Sequence, residues 1–293
     1  MARLSLARRL RYAAETAGVL AAYAIFRVLP IDGASGLGGF LGRTIGPRLR
    51  LSRRARHNLA LAMPELTPAE IGRIVIDMWD NLGRSAGEMP HVPNLDPFDG
   101  SGRIEIVGME HVEEGKRAGA AIVFSGHIAN WELMPAMAHR VGLEIELIYR
   151  AANNPWVDRL IQNLRRGSLH PKGAQGARLA VTALKAGRPL GLLADQKMND
   201  GIAVPFFGRP AMTAPALAEL ARKFGAPIYP VRTERLKGAR FRITVMAPWT
   251  IPETGDRRAD VAEAMRRVNA LLETWIRDKP AQWLWLHRRW PES

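Results

Sequence analysis

Two hydrophobic periods divide the chain. Up to about residue 90, apolar positions recur at helical spacing, and beyond residue 103 short apolar runs alternate with helical stretches. Ile71, Ile74, Val75, Met78, Trp79 and Leu82 form one stripe of period 3.6, expected to face a core. Its start is marked by Thr67-Pro68-Ala69-Glu70, with a capping Thr, Pro at the first helical position and Glu at the third. A second helix precedes it across the turn Met63-Pro64-Glu65-Leu66, and residues 90–102, rich in Pro, Asn, Asp and Gly, read as a loop. Strands are expected at 103–107, 121–124, 144–149, 168–170, 189–194, 227–232 and 240–247, the last two at a sheet edge. Helices are expected from Asn130, at 155–165, 177–186 and 215–224, and over Arg257–Lys279; residues 199–215 read as a long loop. This alternation predicts an α/β fold with a mostly parallel central sheet flanked by helices.

One strand-to-helix corner carries candidate chemistry. Ala121-Ile122-Val123-Phe124 is a buried-strand run, Ser125-Gly126 breaks it, and Trp131, Leu133, Met134 and Met137 follow at helical spacing. His127 and Glu132 fall on the corner. Residues five apart in one helix point about 140° away from each other, so the two meet only if His127 precedes the helix and Glu132 lies in its first turn. That places the imidazole at the carboxyl end of a strand, where open α/β sheets hold their ligands. A carboxylate on the far nitrogen of a neutral imidazole fixes its tautomer and suits it to general-base work. Equally, His127 caps the helix and Glu132 sits on a solvated turn; the spacing alone leaves both readings open.

Charge changes the picture at the N-terminus. The formal net charge is +14, and residues 1–56 hold eleven arginines against only Glu15 and Asp32. The arginines are interleaved with apolar helical sequence, which favours an anionic membrane surface over nucleic acid. Thr16–Phe26 is an apolar run of eleven, short of the roughly twenty residues a bilayer span needs, and no small-residue cleavage site precedes Arg27. The expectation is a membrane-associating helical segment over residues 1–56, amphipathic or shallowly inserted, followed by a catalytic domain over 57–293. The closing stretch, Gln282–Trp290, holds three tryptophans and two arginines, which suit a membrane interface or a packed C-terminus. With no cysteine there are no disulfides and no thiolate metal sites, and no His/carboxylate cluster has convincing ligand spacing.

SGHIANWEL (residues 125–133) resembles the His-x4-Asp/Glu box of the lysophospholipid acyltransferase superfamily, and more narrowly the lipid A late acyltransferases of the lauroyl/myristoyl type, which carry Glu here. YRAANNPWVDRLI (149–161), LLADQ (192–196), VPFFGRPAMTAPALAELA (204–221) and QWLWLHRRW (282–290) are similar to further family stretches, in the same order. RHNLALAMPEL and LGRSAGE also look family-like, with no chemistry assigned to them.

The resemblance implies acyl transfer without a covalent intermediate, from an acyl-carrier-protein thioester to a lipid A precursor in the membrane; the alternatives are a related acyltransferase acting on another glycolipid or phospholipid, and a non-enzymatic basic membrane-binding protein. It implies no cofactor, no metal and no nucleic acid, and a place at the cytoplasmic face of a bacterial inner membrane. His127 and Glu132 would be catalytic, with Glu132 orienting and stabilising the imidazolium. Arg150, at a strand end, would hold a phosphate of acceptor or carrier arm, or form an ordinary salt bridge. Asp195 would orient Arg150 or the acceptor, or cap a turn. Phe206, Phe207 and Arg209 would line the substrate site with an apolar wall and a charge, or the aromatics would pin the loop. Lys172 is a phosphate-binding candidate, and His170, lacking a partner in the sequence, is left as structural.

Overall fold

A computed structural model describes residues 5–149, 151–164, 168–171 and 173–290. Four helices open it: α1 (Leu6–Val28), α2 (Ile31–Ile45), α3 (Leu51–Ala62) and α4 (Pro68–Glu88). There follow β1 (Ile104–Val107), α5 (Met109–Ala118), β2 (Ile122–Ser125), α6 (Leu133–Arg140), β3 (Glu146–Tyr149), α7 (Pro155–Leu164), β4 (Ser168–Pro171), α8 (Ala174–Lys185) and β5 (Leu190–Leu193). The chain closes with β6 (Lys197–Phe206), β7 (Arg209–Thr213), α9 (Ala216–Phe224), β8 (Ile228–Arg235), β9 (Phe241–Val245) and α10 (Arg257–Asp278).

Seven strands form one sheet in the order β1-β9-β8-β2-β5-β3-β4, all neighbours parallel except the β8–β9 pair. The α/β class is therefore as expected. The edge placement of β8 and β9 is not, because β1 pairs outside β9 and takes the edge itself. Side chains alternate across β2: Ile122 and Phe124 join the core under α9 and α10, while Ala121 and Val123 join the one under α6. Both faces are thus covered, which is why the strands read as continuous apolar runs.

The expected loop at 199–215 is instead the antiparallel β6–β7 hairpin. Its turn puts Phe207 and Gly208 both at positive φ, 53° and 67°, matching the twist of the flanking strands. Glycine suits that conformation and marks a tight turn in the sequence at Phe206-Phe207-Gly208; the strands on either side of it are what the loop reading lacked. Phe207 is held there by its own burial and by an N–H bond to Glu273 Oε1 at 2.5 Å.

The N-terminal helices are continuous with this body. Thr67 and Glu70 form the expected capping box of α4. The inner stripe of α2, Ala34, Gly38 and Gly42, lies backbone to backbone against Trp79, Gly83 and Gly87 of α4. A methyl added at Gly83 would stand 2.1 Å from the Gly38 oxygen, and one at Gly42 2.1 Å from the Trp79 oxygen. The contact crosses residue 56, the boundary expected from the basic, apolar character of the N-terminal stretch. By contrast α1 buries only Tyr12, and Asn154 reaches it by donating to the Tyr12 carbonyl at 2.9 Å.

Gly83→Ala is expected to destabilise the protein by about 1–3 kcal/mol, the range for overpacking a closed seam. Gly72→Ala, on the same helix with open space around it, should be neutral or stabilise by up to about 1 kcal/mol. Thermal melts of the two variants separate helix propensity from the seam.

Candidate active site

Sheet register brings the central chemistry together. β2 and β5 are parallel neighbours with Ser125 opposite Leu193, so His127 and Asp195 lie level, each two residues beyond a paired strand end. Gly126 between them has no side chain to intrude: a Cβ there would sit 3.0 Å from Leu272 and 3.5 Å from the Asp195 carboxyl carbon. Asp195 is fully buried and accepts three N–H bonds. His127 donates through its backbone N to Oδ2 and meets Oδ1 through Nδ1, both at 2.8 Å, and Trp283 Nε1 donates to Oδ2 at 2.8 Å. Burial alone would raise this carboxyl's pKa; the charge and hydrogen bonds of His127, helped by the charge of His287, outweigh it and hold Asp195 well below the ordinary carboxylate range.

The carboxylate on His127 Nδ1 is therefore Asp195, where the spacing had suggested Glu132. With the Nδ1 proton committed to Asp195, Nε2 carries the lone pair and accepts from the Gln196 amide at 3.2 Å. The imidazole lines a cavity of about 410 Å³, together with Trp131, Glu132 and Gln196 and with apolar residues that include Met134, Leu147, Leu169 and Leu192. Glu132, just before α6, accepts from Trp131 Nε1 at 3.0 Å. The rings of Trp131 and His287 stand edge-on to the His127 imidazole, with centroids 5.1 and 4.8 Å away.

Other expected residues go elsewhere. Phe206 and Phe207 are buried against Trp283, Trp285 and Trp290, so they pin the hairpin rather than wall the cavity. The same contacts settle the tryptophans: none of the three lies at a surface. Arg209 is exposed and donates from Nε to the Leu61 carbonyl at the end of α3, at 3.1 Å. Asp195, expected at the acceptor or Arg150, is sealed behind His127. Arg150 and Lys172 lie outside the described residues. His170 has the partner the sequence hid, Glu146 at 2.7 Å, which also pairs with Arg188 at 2.6 Å. His127, Asp195 and His287 bring ligand-type atoms within 4.8 Å of one another. Three N–H groups already donate to the Asp195 oxygens.

Gln196, Trp283, His287 and Trp131 were not singled out as site residues. Gln196 and the C-terminal pair lay inside matched stretches, but only the sheet order shows that those stretches meet. The C-terminal segment clasps the corner directly: Leu284 N donates to the His127 carbonyl at 3.2 Å, and Ala129 N to the Gln282 carbonyl at 2.8 Å.

The profile of the family described as "Bacterial lipid A biosynthesis acyltransferase" matches residues 2–292. The chain is 28% identical over 262 residues to the "Lipid A biosynthesis myristoyltransferase" of Escherichia coli (strain K12), covering 85% of this chain and 77% of that protein. To the "Lipid A biosynthesis lauroyltransferase" of the same organism it is 27% identical over 271 residues, covering 87% and 82%. To the "Lipid A biosynthesis acyltransferase" of Haemophilus influenzae it is 23% identical over 267 residues, covering 85% and 79%.

The Asp195 shift has a signed consequence. The folded pKa lies below the unfolded value of about 3.9, so the ionised form favours the folded state. Its contribution is complete above about pH 5 and is lost as pH falls below that. The melting temperature of Asp195→Asn should fall several degrees short of the parent's at pH 6–7, and the gap should narrow towards pH 3.

Proposed function

Because the chain belongs to the bacterial lipid A biosynthesis acyltransferase family, we propose that it moves a fatty acyl chain from an acyl-carrier-protein thioester to a hydroxyl of a lipid A precursor, with His127 as the general base. The observation that carries this reading is the His127 ring itself. Its Nδ1 is held by a buried carboxylate, its Nε2 meets the Gln196 amide, and both residues line a largely apolar cavity. The acceptor hydroxyl replaces the Gln196 amide at Nε2, gives up its proton there and attacks the thioester carbon. As the tetrahedral intermediate collapses, the C–S bond breaks and the imidazolium returns the proton to the leaving thiolate.

Asp195 keeps the imidazole in the right tautomer and stabilises its charged form. Glu132, held by Trp131 on the cavity wall, adds a second carboxylate that steadies the imidazolium or the approaching hydroxyl. N–H groups at the start of α6, or the Arg150 guanidinium, would meet the developing oxyanion. For the donor we favour the neighbouring cavity of about 710 Å³, which shares Ile148, Leu192, Leu193 and Gln196 with the first. Its wall includes Lys197, Lys223 and Arg257 against one acid, Glu219, a net positive charge that suits an acidic carrier protein.

We assign the acceptor's entry to the membrane side. No helix among the described residues is long and apolar enough to cross a membrane. Yet Leu6, Leu10, Leu20, Ile25 and Val28 of α1 and Phe40 and Ile45 of α2 are exposed, with Arg8, Arg9, Arg11, Arg27 and Arg43 exposed among them. An apolar surface set among arginines fits shallow insertion beneath anionic headgroups. The helix α1 also packs on α4 and α7, and Met89 beyond α4 and Ile161 of α7 both line the His127 cavity.

A transfer assay with acyl-carrier-protein thioesters and a tetra-acylated lipid A precursor tests the reading. Transfer should occur and fall by at least about a hundredfold in His127→Ala, as for a missing general base. Transfer only to other membrane lipids would overturn the acceptor, and transfer independent of His127 would overturn the mechanism.

A further inference from the structure

The stretch LGRSAGE (Leu82–Glu88), to which the sequence assigned no chemistry, ends in a fully buried acid. Glu88 forms a bidentate pair with Arg235 of β8, itself only 8% exposed. Arg235 donates further to Asn81 Oδ1 at 2.8 Å, Ser85 Oγ at 3.1 Å and the Gly238 carbonyl at 2.9 Å. Ser35 of α2 donates to Glu88 Oε1 at 2.7 Å. A buried ion pair of this kind is poor evidence for stability, since apolar groups of similar volume often serve as well. What distinguishes it is where its bonds converge.

They converge on the corner between His127 and Glu132. Asn81 Nδ2 and Ser85 Oγ both donate to the Ala129 carbonyl at 3.2 Å, and Asn130 Nδ2 donates to Glu88 Oε2 at 2.9 Å. Ala129 has φ +51°, left-handed backbone that costs a residue with a Cβ and persists only where its surroundings hold it. That turn reverses the chain after β2, and through it Trp131 comes edge-on to His127 and Glu132 joins the cavity wall. No atom of Glu88, Arg235, Asn81 or Ser85 lines that cavity.

We propose that Glu88 and Arg235, acting through Asn81, Ser85 and Asn130, form a positioning unit that clamps the Ala129 turn and so fixes Glu132 relative to His127. The proposal rests on the catalytic reading of that corner only for its effect on turnover. Glu88→Gln alone leaves Arg235 buried without its counter-charge and risks misfolding, so Asn130→Ala is the primary variant: it removes the bond that ties the corner directly to Glu88, and keeps the ion pair and the Asn81 and Ser85 bonds to Ala129.

Asn130→Ala should lower kcat ten- to a hundredfold with KM for both substrates within about twofold. Adding Ala129→Gly, which adopts a left-handed turn without the Cβ cost, should restore kcat at least threefold. Histidine-selective ¹⁵N spectra read the corner without substrate: the His127 ring signals should shift in Asn130→Ala and return in the double variant, while those of His111 and His139 stay put. A kcat within twofold of the parent with unshifted His127 signals would overturn the proposal. So would a loss of kcat that Ala129→Gly does not recover. If the ring signals move and return as stated while His127→Ala still transfers normally, the positioning unit stands and the catalytic reading falls.

Discussion

The site depends on one buried carboxylate. Asp195 is sealed from water and still ionised, because three N–H groups, one of them on the His127 ring, replace its hydration. Ionised carboxylates are rarely tolerated inside a protein without such a shell. The donors come from two distant parts of the chain: the strand-to-helix corner supplies two through His127, and the C-terminal segment supplies the third through Trp283. The acid therefore both locks the tautomer of His127 and joins two distant stretches into one wall. Backbone pairing of residues 282–284 with 127–129 completes the junction.

Around this point the molecule is built in shells. The corner is gripped on one side by the C-terminal tryptophans, themselves packed on Phe206 and Phe207. On the other side it is gripped by α4, which reaches it through Asn81, Ser85 and Glu88. That helix is in turn fixed by the glycine seam with α2, where the absence of side chains lets two backbones touch. The exposed arginines and leucines of α1 and α2 thus belong to elements mechanically continuous with the site. If the acceptor lies in a bilayer, as proposed, these contacts would hold the cavity at a defined place relative to that surface.

Much of the architecture was legible because local chemistry agreed with the global fold. The capping box at Thr67 and Glu70, the short apolar runs and the Ser-Gly break before His127 each state their own structure. What was not legible depended on strand pairing or on partners far apart in sequence. Asp195 looked like a lone acid, since nothing in the sequence says that β5 lies beside β2. Glu132 looked like the partner of His127, since proximity in sequence is all that spacing can offer. The turn at Phe207-Gly208 was legible but its flanking strands were not, and Glu88 went unassigned because its partners are 147 and 42 residues away. The tryptophans suited two environments by composition, and only packing distinguished them.

The central claim is that Asp195 orients the catalytic imidazole. Its most direct test is kcat at saturating substrates for Asp195→Asn beside Glu132→Gln, both shown to be folded at neutral pH. With the carboxylate replaced by an amide, the Nδ1 proton loses its acceptor of choice, and kcat should fall by roughly 10²–10⁴, the full worth of a general base. The Glu132→Gln loss should be the smaller of the two. An Asp195→Asn enzyme within twofold of the parent, beside a Glu132→Gln enzyme that is inactive, would contradict the account and return the orienting role to Glu132.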